Sequence, residues 1–177
     1  ALCGHRLGLK FPRHAHIVAA QEMLPTDYFA QLFKFAFVRN PWDLQVSSFH
    51  HIQRERPEVM NGIKDFNEFM RWKFDPERPP QYHIDTSLSL QTDYLIDLHG
   101  KILVDFVGRY EHLSEDFSHV CERLGVSLSL PHRREAKDRE KDYRSYFDDH
   151  SRELVALHFA RDIAQLEYQF DTPAISS

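Results

Sequence analysis

Apolar and polar residues follow two patterns along this chain: one short unbroken apolar run and several apolar stripes at helical spacing. The run is Phe35-Ala36-Phe37-Val38, which is typical of a strand buried on both faces in a parallel sheet. Apolar residues that recur every three or four positions predict amphipathic helices at residues 41–54, 66–74 and 113–124, and from about 148 onward. The pattern predicts an α/β fold in which several helices cover a small sheet.

Prolines predict where further elements begin and end. Residues 17–24 form a predicted helix that Pro25 stops, and residues 27–33 lead into the first strand. Residues 75–85 contain three prolines and predict a loop that forms one wall of a cleft.

A β-hairpin is predicted further along the chain. Residues 94–98 and 101–107 are β-rich and are separated by His99-Gly100, a plausible two-residue turn. Arg109 and Glu111 follow the second of these runs. We interpret them as an arginine–glutamate pair that braces the start of the next helix, with a place for Arg109 near a ligand as the alternative.

The first strand runs directly into a helix start. Asn40 is a favourable N-cap, Pro41 suits the first helical position, and Asp43 places a negative charge at the positive end of the helix. Arg39 therefore lies at the carboxyl end of a strand, where ligands bind in open α/β sheets. Its planar guanidinium matches phosphate oxygens, and Ser47 adds a hydroxyl from the helix. The alternative is that Arg39 pairs with a carboxylate and the serines face solvent.

Length and composition fit a single domain over residues 1–177. Of the 177 residues, 42% are hydrophobic, which suffices for a sizeable core. A net charge of −5 argues against a nucleic-acid-binding protein. The two cysteines are too few for a disulfide framework, no apolar run reaches membrane-spanning length and no signal peptide opens the chain. The first residue is Ala1 and not methionine, which indicates a fragment.

Three blocks of the sequence resemble sulfotransferases that use 3′-phosphoadenosine 5′-phosphosulfate (PAPS). Arg39-Asn40-Pro41 with Ser47, eight positions after the arginine, resembles their 3′-phosphate-binding motif. Residues 104–111 resemble the second signature block of the carbohydrate-type members, and residues 142–147 with 168–170 resemble their C-terminal region. The similarity covers residues 14–171 in one order, which a chance motif match would not do.

The resemblance implies an α/β, P-loop-NTPase-like sulfotransferase fold, with a small central parallel sheet flanked by helices. It also implies PAPS as the cofactor, with its 3′-phosphate on Arg39 and Ser47, and adenosine 3′,5′-bisphosphate as the product. Residues 133–144 have mixed charge, which is typical of a solvated face. The alternative is that a loop in this region covers the cofactor, and Arg144 is then the residue that we expect to bind it. Many relatives carry a basic residue where this chain has Leu44, which we interpret as a change in helix packing.

The P-loop-like strand, loop and helix of these enzymes are not visible in the sequence. In that element, backbone N–H groups and a lysine hold the 5′-phosphosulfate. Gly4, Gly8 and Lys10 follow no visible strand, so we expect the N-terminal strand and loop to be missing or truncated, upstream of Ala1. If the chain is complete, the alternative is a non-catalytic binding or interaction module. A kinase-like phosphoryl-transfer enzyme would need a Walker A lysine and magnesium-binding carboxylates, and neither is visible.

A histidine suits the role of catalytic base, because its pKa lies near neutrality. By resemblance, His14 and His16 occupy the position of a histidine pair in some glycan O-sulfotransferases, and His14 is the first candidate. If their segment is extended, alternation places both rings on one face. The alternatives are surface histidines, or a metal site with His50 and His51, which the absence of a metal-binding motif disfavours.

The sequence therefore predicts a sulfotransferase that moves a sulfuryl group from PAPS to a hydroxyl of a carbohydrate or other small acceptor. The acceptor is the expected partner, and we expect no nucleic acid, no membrane span and no metal. The expected location is the cytoplasm; if an upstream anchor exists, the alternative is the Golgi lumen or association with a membrane.

Overall fold

The computed structural model describes residues 14–130 and 140–171. In chain order, the helices and strands of these residues are α1 (Ile17–Met23), α2 (Thr26–Gln31), β1 (Phe35–Val38), α3 (Pro41–Glu55), α4 (Phe66–Lys73), α5 (Tyr82–Thr86), β2 (Phe106–Arg109), α6 (Leu113–Leu124), α7 (Asp149–His158) and α8 (Ala160–Gln165). Short 3₁₀ turns lie between several of them. Gly4, Gly8, Lys10 and most of the charged segment 133–144 lie outside the described residues.

β1 and β2 are parallel neighbours, and they form the sheet of the described residues. Phe35 lies opposite Phe106, and Val38 lies opposite Arg109, so both strands end at the same edge. The Phe37 ring lies directly over Gly108, which has no side chain: a Cβ there would come within 2.5 Å of that ring. The fold is mixed α/β and mostly helical, which confirms the predicted small parallel sheet with covering helices.

The main hydrophobic core lies where α3 packs against α4 and α7. Its buried side chains are Trp42, Val46, Phe49, Ile52, Phe66, Phe69, Met70, Ile84, Tyr143, Val155 and Phe159. Burial at helical spacing on α3 and α4 is the tertiary counterpart of the apolar stripes in the sequence. The core therefore holds α3 rigidly behind the end of β1.

Local signals at the helix ends are confirmed. The Asn40 side chain accepts a hydrogen bond from the Trp42 amide at 3.0 Å, as an N-cap does. At the end of α6, Gly125 has a φ of 67°, the left-handed conformation that glycine adopts at no steric cost.

The predicted β-hairpin is confirmed only as one antiparallel bridge, and the bounds of its two strands are wrong. Residues 94–98 and 101–107 share a single bridge, between Ile96 and Ile102, and a 3₁₀ turn occupies Thr92–Tyr94. The second strand, β2, begins only at Phe106 and pairs with β1 instead. The reason is long-range: the Lys34 carbonyl accepts hydrogen bonds from the Asp105 and Phe106 amides, which turns the chain into the parallel pairing.

Three other boundaries differ from the prediction. The stretch before β1 contains α2, whose first turn carries Asp27 and whose Phe29 is buried. The proline-rich segment 75–85 is not a loop throughout, because α5 begins at Tyr82 inside it. The last predicted helix is interrupted at the buried residue Phe159, with φ −96° and ψ 21°, and continues as α8.

Candidate anion site at the carboxyl end of β1

The junction between β1 and α3 is held by Asn40, whose exposed fraction is 1%. Its side-chain nitrogen donates to the Tyr143 hydroxyl at 3.2 Å and to the Gln169 carbonyl at 3.0 Å. Its backbone amide donates to Glu111 Oε1 at 2.6 Å. One asparagine thus joins the helix start to the end of β2 and to the C-terminal segment, so the position of Arg39 beside it is strongly constrained.

The Arg39 guanidinium lies on the first turn of α3. Its Nε donates to Asp43 Oδ2 at 2.5 Å, and its carbon lies 4.0 Å from the centre of the Tyr110 ring. The predicted alternative of a carboxylate partner is therefore present. Within the described residues the guanidinium makes only that hydrogen bond, so its two terminal nitrogens keep their donors for another anion.

Ser47 lies one helical turn beyond Asp43, on the same face of α3. It is half-buried, and its hydroxyl makes no hydrogen bond to another described residue. The neighbouring Ser48 differs: its Oγ accepts from Lys73 Nζ at 3.0 Å and lies 3.3 Å from the Ser87 hydroxyl. The expectation that both serines face solvent is thus wrong for Ser48, which belongs to a buried polar network.

Gln91 is a site residue that the sequence reasoning missed. Its side-chain amide bonds both backbone groups of Arg39: Oε1 accepts from the amide and Nε2 donates to the carbonyl, each at 2.8 Å. The two residues are 52 positions apart, and a side-chain bond to a distant backbone leaves no periodic trace in a sequence. No sequence signal that we know of would have found it.

The predicted Arg109–Glu111 ion pair is wrong, because no such pair occurs among the described residues. Arg109 Nη2 instead donates to the Leu166 carbonyl at 2.6 Å, and its guanidinium lies over the Tyr168 ring. Glu111 accepts from the Tyr168 hydroxyl at 3.1 Å. Burial and the nearby Glu111 carboxylate raise the pKa of Tyr168, so this hydroxyl remains a donor. Both residues brace the strand end through Tyr168.

The comparison with known families decides what kind of protein carries this site. A profile described as the sulfotransferase family matches residues 10–170. The chain belongs to the sulfotransferase family. It is also 35% identical over 98 residues to an uncharacterised protein of Archaeoglobus fulgidus, a match that covers 54% of this chain and 70% of that protein. No solved structure gives a significant match.

Family membership implies a P-loop-like α/β fold, with which the parallel β1–β2 pair and α3 agree. In a sulfotransferase, an arginine at a strand end with donors on the next helix is suited to a phosphate of the nucleotide.

The helices of residues 14–130 and 140–171 were compared with the length and hydrophobicity of a membrane span, and none of them reaches both.

The two predicted base candidates of the sulfotransferase differ in their surroundings. Both rings are exposed. His14 has a φ of 62°, so its segment is not extended and the argument from strand alternation fails. His16 precedes α1, and its ring centre lies 4.6 Å from that of Tyr94. Because Tyr94 ends the short segment that Gln91 begins, His16 and Arg39 contact the same stretch of chain.

Arg144, the third predicted cofactor-binding residue, forms a two-pronged ion pair with Asp142. Its Nε lies 2.8 Å from Asp142 Oδ1, and its Nη2 lies 2.8 Å from Oδ2. These bonds hold the pKa of the Asp142 carboxyl below its usual range. Within the described part of the chain, the hydrogen bonds of the Arg144 side chain go to Asp142.

The four histidines considered for a metal site do not assemble. His50 Nε2 lies 2.9 Å from the Tyr146 hydroxyl, and His51 is exposed. Within the described ranges, no group of three or more histidine, cysteine or acidic residues is arranged to hold a metal ion.

A buried lysine, Lys73, lies next to the site, and the sequence did not predict it. Lys73 has an exposed fraction of 1%, and its Nζ donates to Gln45 Oε1 at 2.6 Å as well as to Ser48. Burial, together with the positive charge of Arg78, lowers the pKa of Lys73 to about 7. The apolar stripe of α4 gave no sign of this cation, because only packing against α3 buries it.

Proposed function

We propose that this member of the sulfotransferase family transfers a sulfuryl group from PAPS to a hydroxyl of a carbohydrate or other small acceptor. The observation that carries the proposal is the Arg39 guanidinium at the carboxyl end of β1. Asp43 bonds its Nε and the Tyr110 ring lies against it, and its terminal nitrogens make no hydrogen bond to another described residue. Family membership supports the reaction class, and the arginine supports the nucleotide.

The donors at this strand end fit a 3′-phosphate. Arg39 supplies the N–H donors of its two terminal nitrogens, and Ser47 supplies a hydroxyl one turn beyond Asp43 on the same helix face. The start of α3 adds a favourable helix dipole for an anion. Arg39 and Ser47 would therefore hold the phosphate that distinguishes PAPS from simpler adenine nucleotides. Arg144 stays a weaker candidate, because Asp142 occupies its guanidinium.

PAPS, when bound, supplies the sulfuryl group. The chain's own contribution to the chemistry is a base that accepts the proton of the acceptor hydroxyl, and we assign it to His16, with His14 as the second candidate. We rank His16 before His14 because the His16 ring contacts Tyr94. Tyr94 lies three residues after Gln91, which bonds the Arg39 backbone. A positioned base of this kind contributes about 10²- to 10⁴-fold in rate.

Two measurements test the proposal. Adenosine 3′,5′-bisphosphate is expected to raise the melting temperature, and Arg39→Ala should remove most of that shift. Arg123→Ala is the matched control, because Arg123 also lies over an aromatic ring, that of Phe33, but at the opposite end of the strands. An Arg39→Ala variant with the full shift would contradict the assignment.

The second measurement is transfer of ³⁵S from labelled PAPS to a panel of hydroxyl acceptors that includes glycans. Transfer that depends on Arg39 supports the enzyme. Binding of the bisphosphate without transfer to any acceptor would instead favour the non-catalytic binding module.

A further inference from the structure

The backbone of Arg39 is bonded by a side chain where a strand would ordinarily lie. β1 ends at Val38, yet the next residue still has both main-chain groups paired, through the Gln91 amide. A primary amide offers one acceptor and donors on the neighbouring atom, so it can imitate a peptide group of an adjacent strand. Gln91 thus extends the sheet pairing by one residue, at the residue that carries the guanidinium.

Gln91 is itself fixed by a buried carboxylate. Its backbone amide donates to Asp162 Oδ2 at 2.7 Å, and the Thr92 amide and hydroxyl donate to Oδ1 at 3.0 and 2.7 Å. Asp162 has no exposed surface. The interruption of the last helix at Phe159 starts α8, which carries Asp162. Three bonds to one buried carboxylate set the direction in which the Gln91 side chain leaves the backbone.

The guanidinium of Arg39 depends on this arrangement because it is the far end of a long side chain. Its Nε bond to Asp43 and its contact with the Tyr110 ring require the Arg39 backbone to leave β1 in one direction. A rotation at that residue would move the terminal nitrogens by much more than it moves the main chain. The Gln91 amide blocks such a rotation by holding the N–H and the C=O together.

We propose that Gln91, set by Asp162, is a positioning residue for the 3′-phosphate contact of Arg39. This inference rests on the proposed function, since it assumes that Arg39 binds that phosphate. Gln91 acts only through Arg39: its amide is occupied by the Arg39 backbone and has no assigned contact with the ligand.

The test compares two nucleotides and two glutamines whose side-chain amides are both hydrogen-bonded. Adenosine 3′,5′-bisphosphate and adenosine 5′-monophosphate differ by the 3′-phosphate, so the ratio of their dissociation constants, measured by titration calorimetry, isolates its contact. Gln91→Leu removes both bonds to Arg39. Gln45→Leu is the matched control: the side-chain amide of Gln45 also makes two hydrogen bonds, but with Lys73 and the Ser87 carbonyl.

In the wild type we expect a clear preference for the bisphosphate. Gln91→Leu should reduce that preference by about tenfold or more, the equivalent of one charge-assisted hydrogen bond. Gln45→Leu should lower the melting temperature and leave the preference unchanged. Gln91→Glu keeps the acceptor for the Arg39 amide but replaces the donor to the Arg39 carbonyl by an oxygen that repels it. This variant should lose part of the preference, and it replaces the leucine variant if that one does not fold.

The outcomes separate the two claims. If the wild type prefers the bisphosphate and Arg39→Ala abolishes that preference, but Gln91→Leu and Gln91→Glu both retain it, then Gln91 is only structural and the inference is overturned. If the wild type shows no preference, the proposed function itself fails, together with the inference that rests on it.

Discussion

The backbone amide of Asn40 donates to the Glu111 carboxylate at 2.6 Å, which ties the N-cap of α3 to a residue that follows β2. The second carboxylate oxygen accepts from the Tyr168 hydroxyl. The two strand ends and the C-terminal segment are thus joined by one side chain, immediately beside Arg39. The residues around the candidate site therefore also stabilise the fold.

Glu111→Ala should lower the free energy of unfolding by about 1–3 kcal/mol, because it leaves a buried backbone amide and the Tyr168 hydroxyl without their acceptor. Urea denaturation followed by circular dichroism measures the change. Glu122→Ala, on the exposed face of α6, is the control and should have little effect. Equal stability of the two variants would contradict the bracing role of Glu111.

Ser47→Ala and Ser48→Ala should separate binding from folding. Ser47 has no side-chain partner among the described residues, so its loss should leave stability unchanged but weaken binding of adenosine 3′,5′-bisphosphate by roughly tenfold. Ser48 bonds Lys73, so its loss should cost about 1 kcal/mol of stability and leave affinity unchanged. Calorimetric titration and urea denaturation of both variants measure the two effects. The reverse pattern would exclude Ser47 from the phosphate site.

Stability should rise with pH because of Lys73. Its pKa is lowered from 10.5 to about 7 in the folded protein, so between these values the unfolded chain binds a proton that the folded chain does not. The free energy of unfolding therefore increases with pH over that window, and the gain is absent below it. Lys73→Met removes the titrating group and should flatten the dependence.

Urea denaturation at several pH values between 7 and 9 gives the slope for wild type and Lys73→Met. The difference between the two slopes is the relevant quantity, because other groups titrate in both proteins. The positive charge of Arg78 opposes protonation of Lys73. Arg78→Gln should therefore raise the pKa of Lys73 and reduce the increase in the free energy of unfolding with pH. Identical slopes for wild type and Lys73→Met would show that Lys73 keeps an ordinary pKa.

His16→Asn should reduce turnover by about 10²- to 10⁴-fold, the typical contribution of a general base. Binding of adenosine 3′,5′-bisphosphate should be unchanged, because the base acts on the acceptor and not on the nucleotide. His14→Asn is the matched variant, two positions away and likewise exposed. It should lose less activity, because the Tyr94 ring contacts His16 and not His14 in the described residues. A larger loss in His14→Asn, measured as kcat at saturating PAPS, would reverse the assignment.

The sequence predicted the features that depend on neighbouring residues, namely one strand and the ends of two helices. The apolar run 35–38 predicted β1, the Asn40-Pro41 pair predicted the start of α3, and Gly125 predicted the end of α6, each of which the structure confirms. These signals are local because strand burial, N-caps and left-handed glycines depend on a few neighbouring residues. The order of motifs also sufficed to identify the sulfotransferase family.

Contacts between distant segments were decided only by the tertiary structure. The predicted hairpin is reduced to one bridge because residues 106–109 pair with β1, more than 70 positions earlier, and not with residues 94–98. The Gln91–Arg39 and Asp162–Gln91 bonds span 52 and 71 positions, and no periodicity connects such residues. The sequence alone determined where an arginine could meet a phosphate; long-range packing determined what holds that arginine in place.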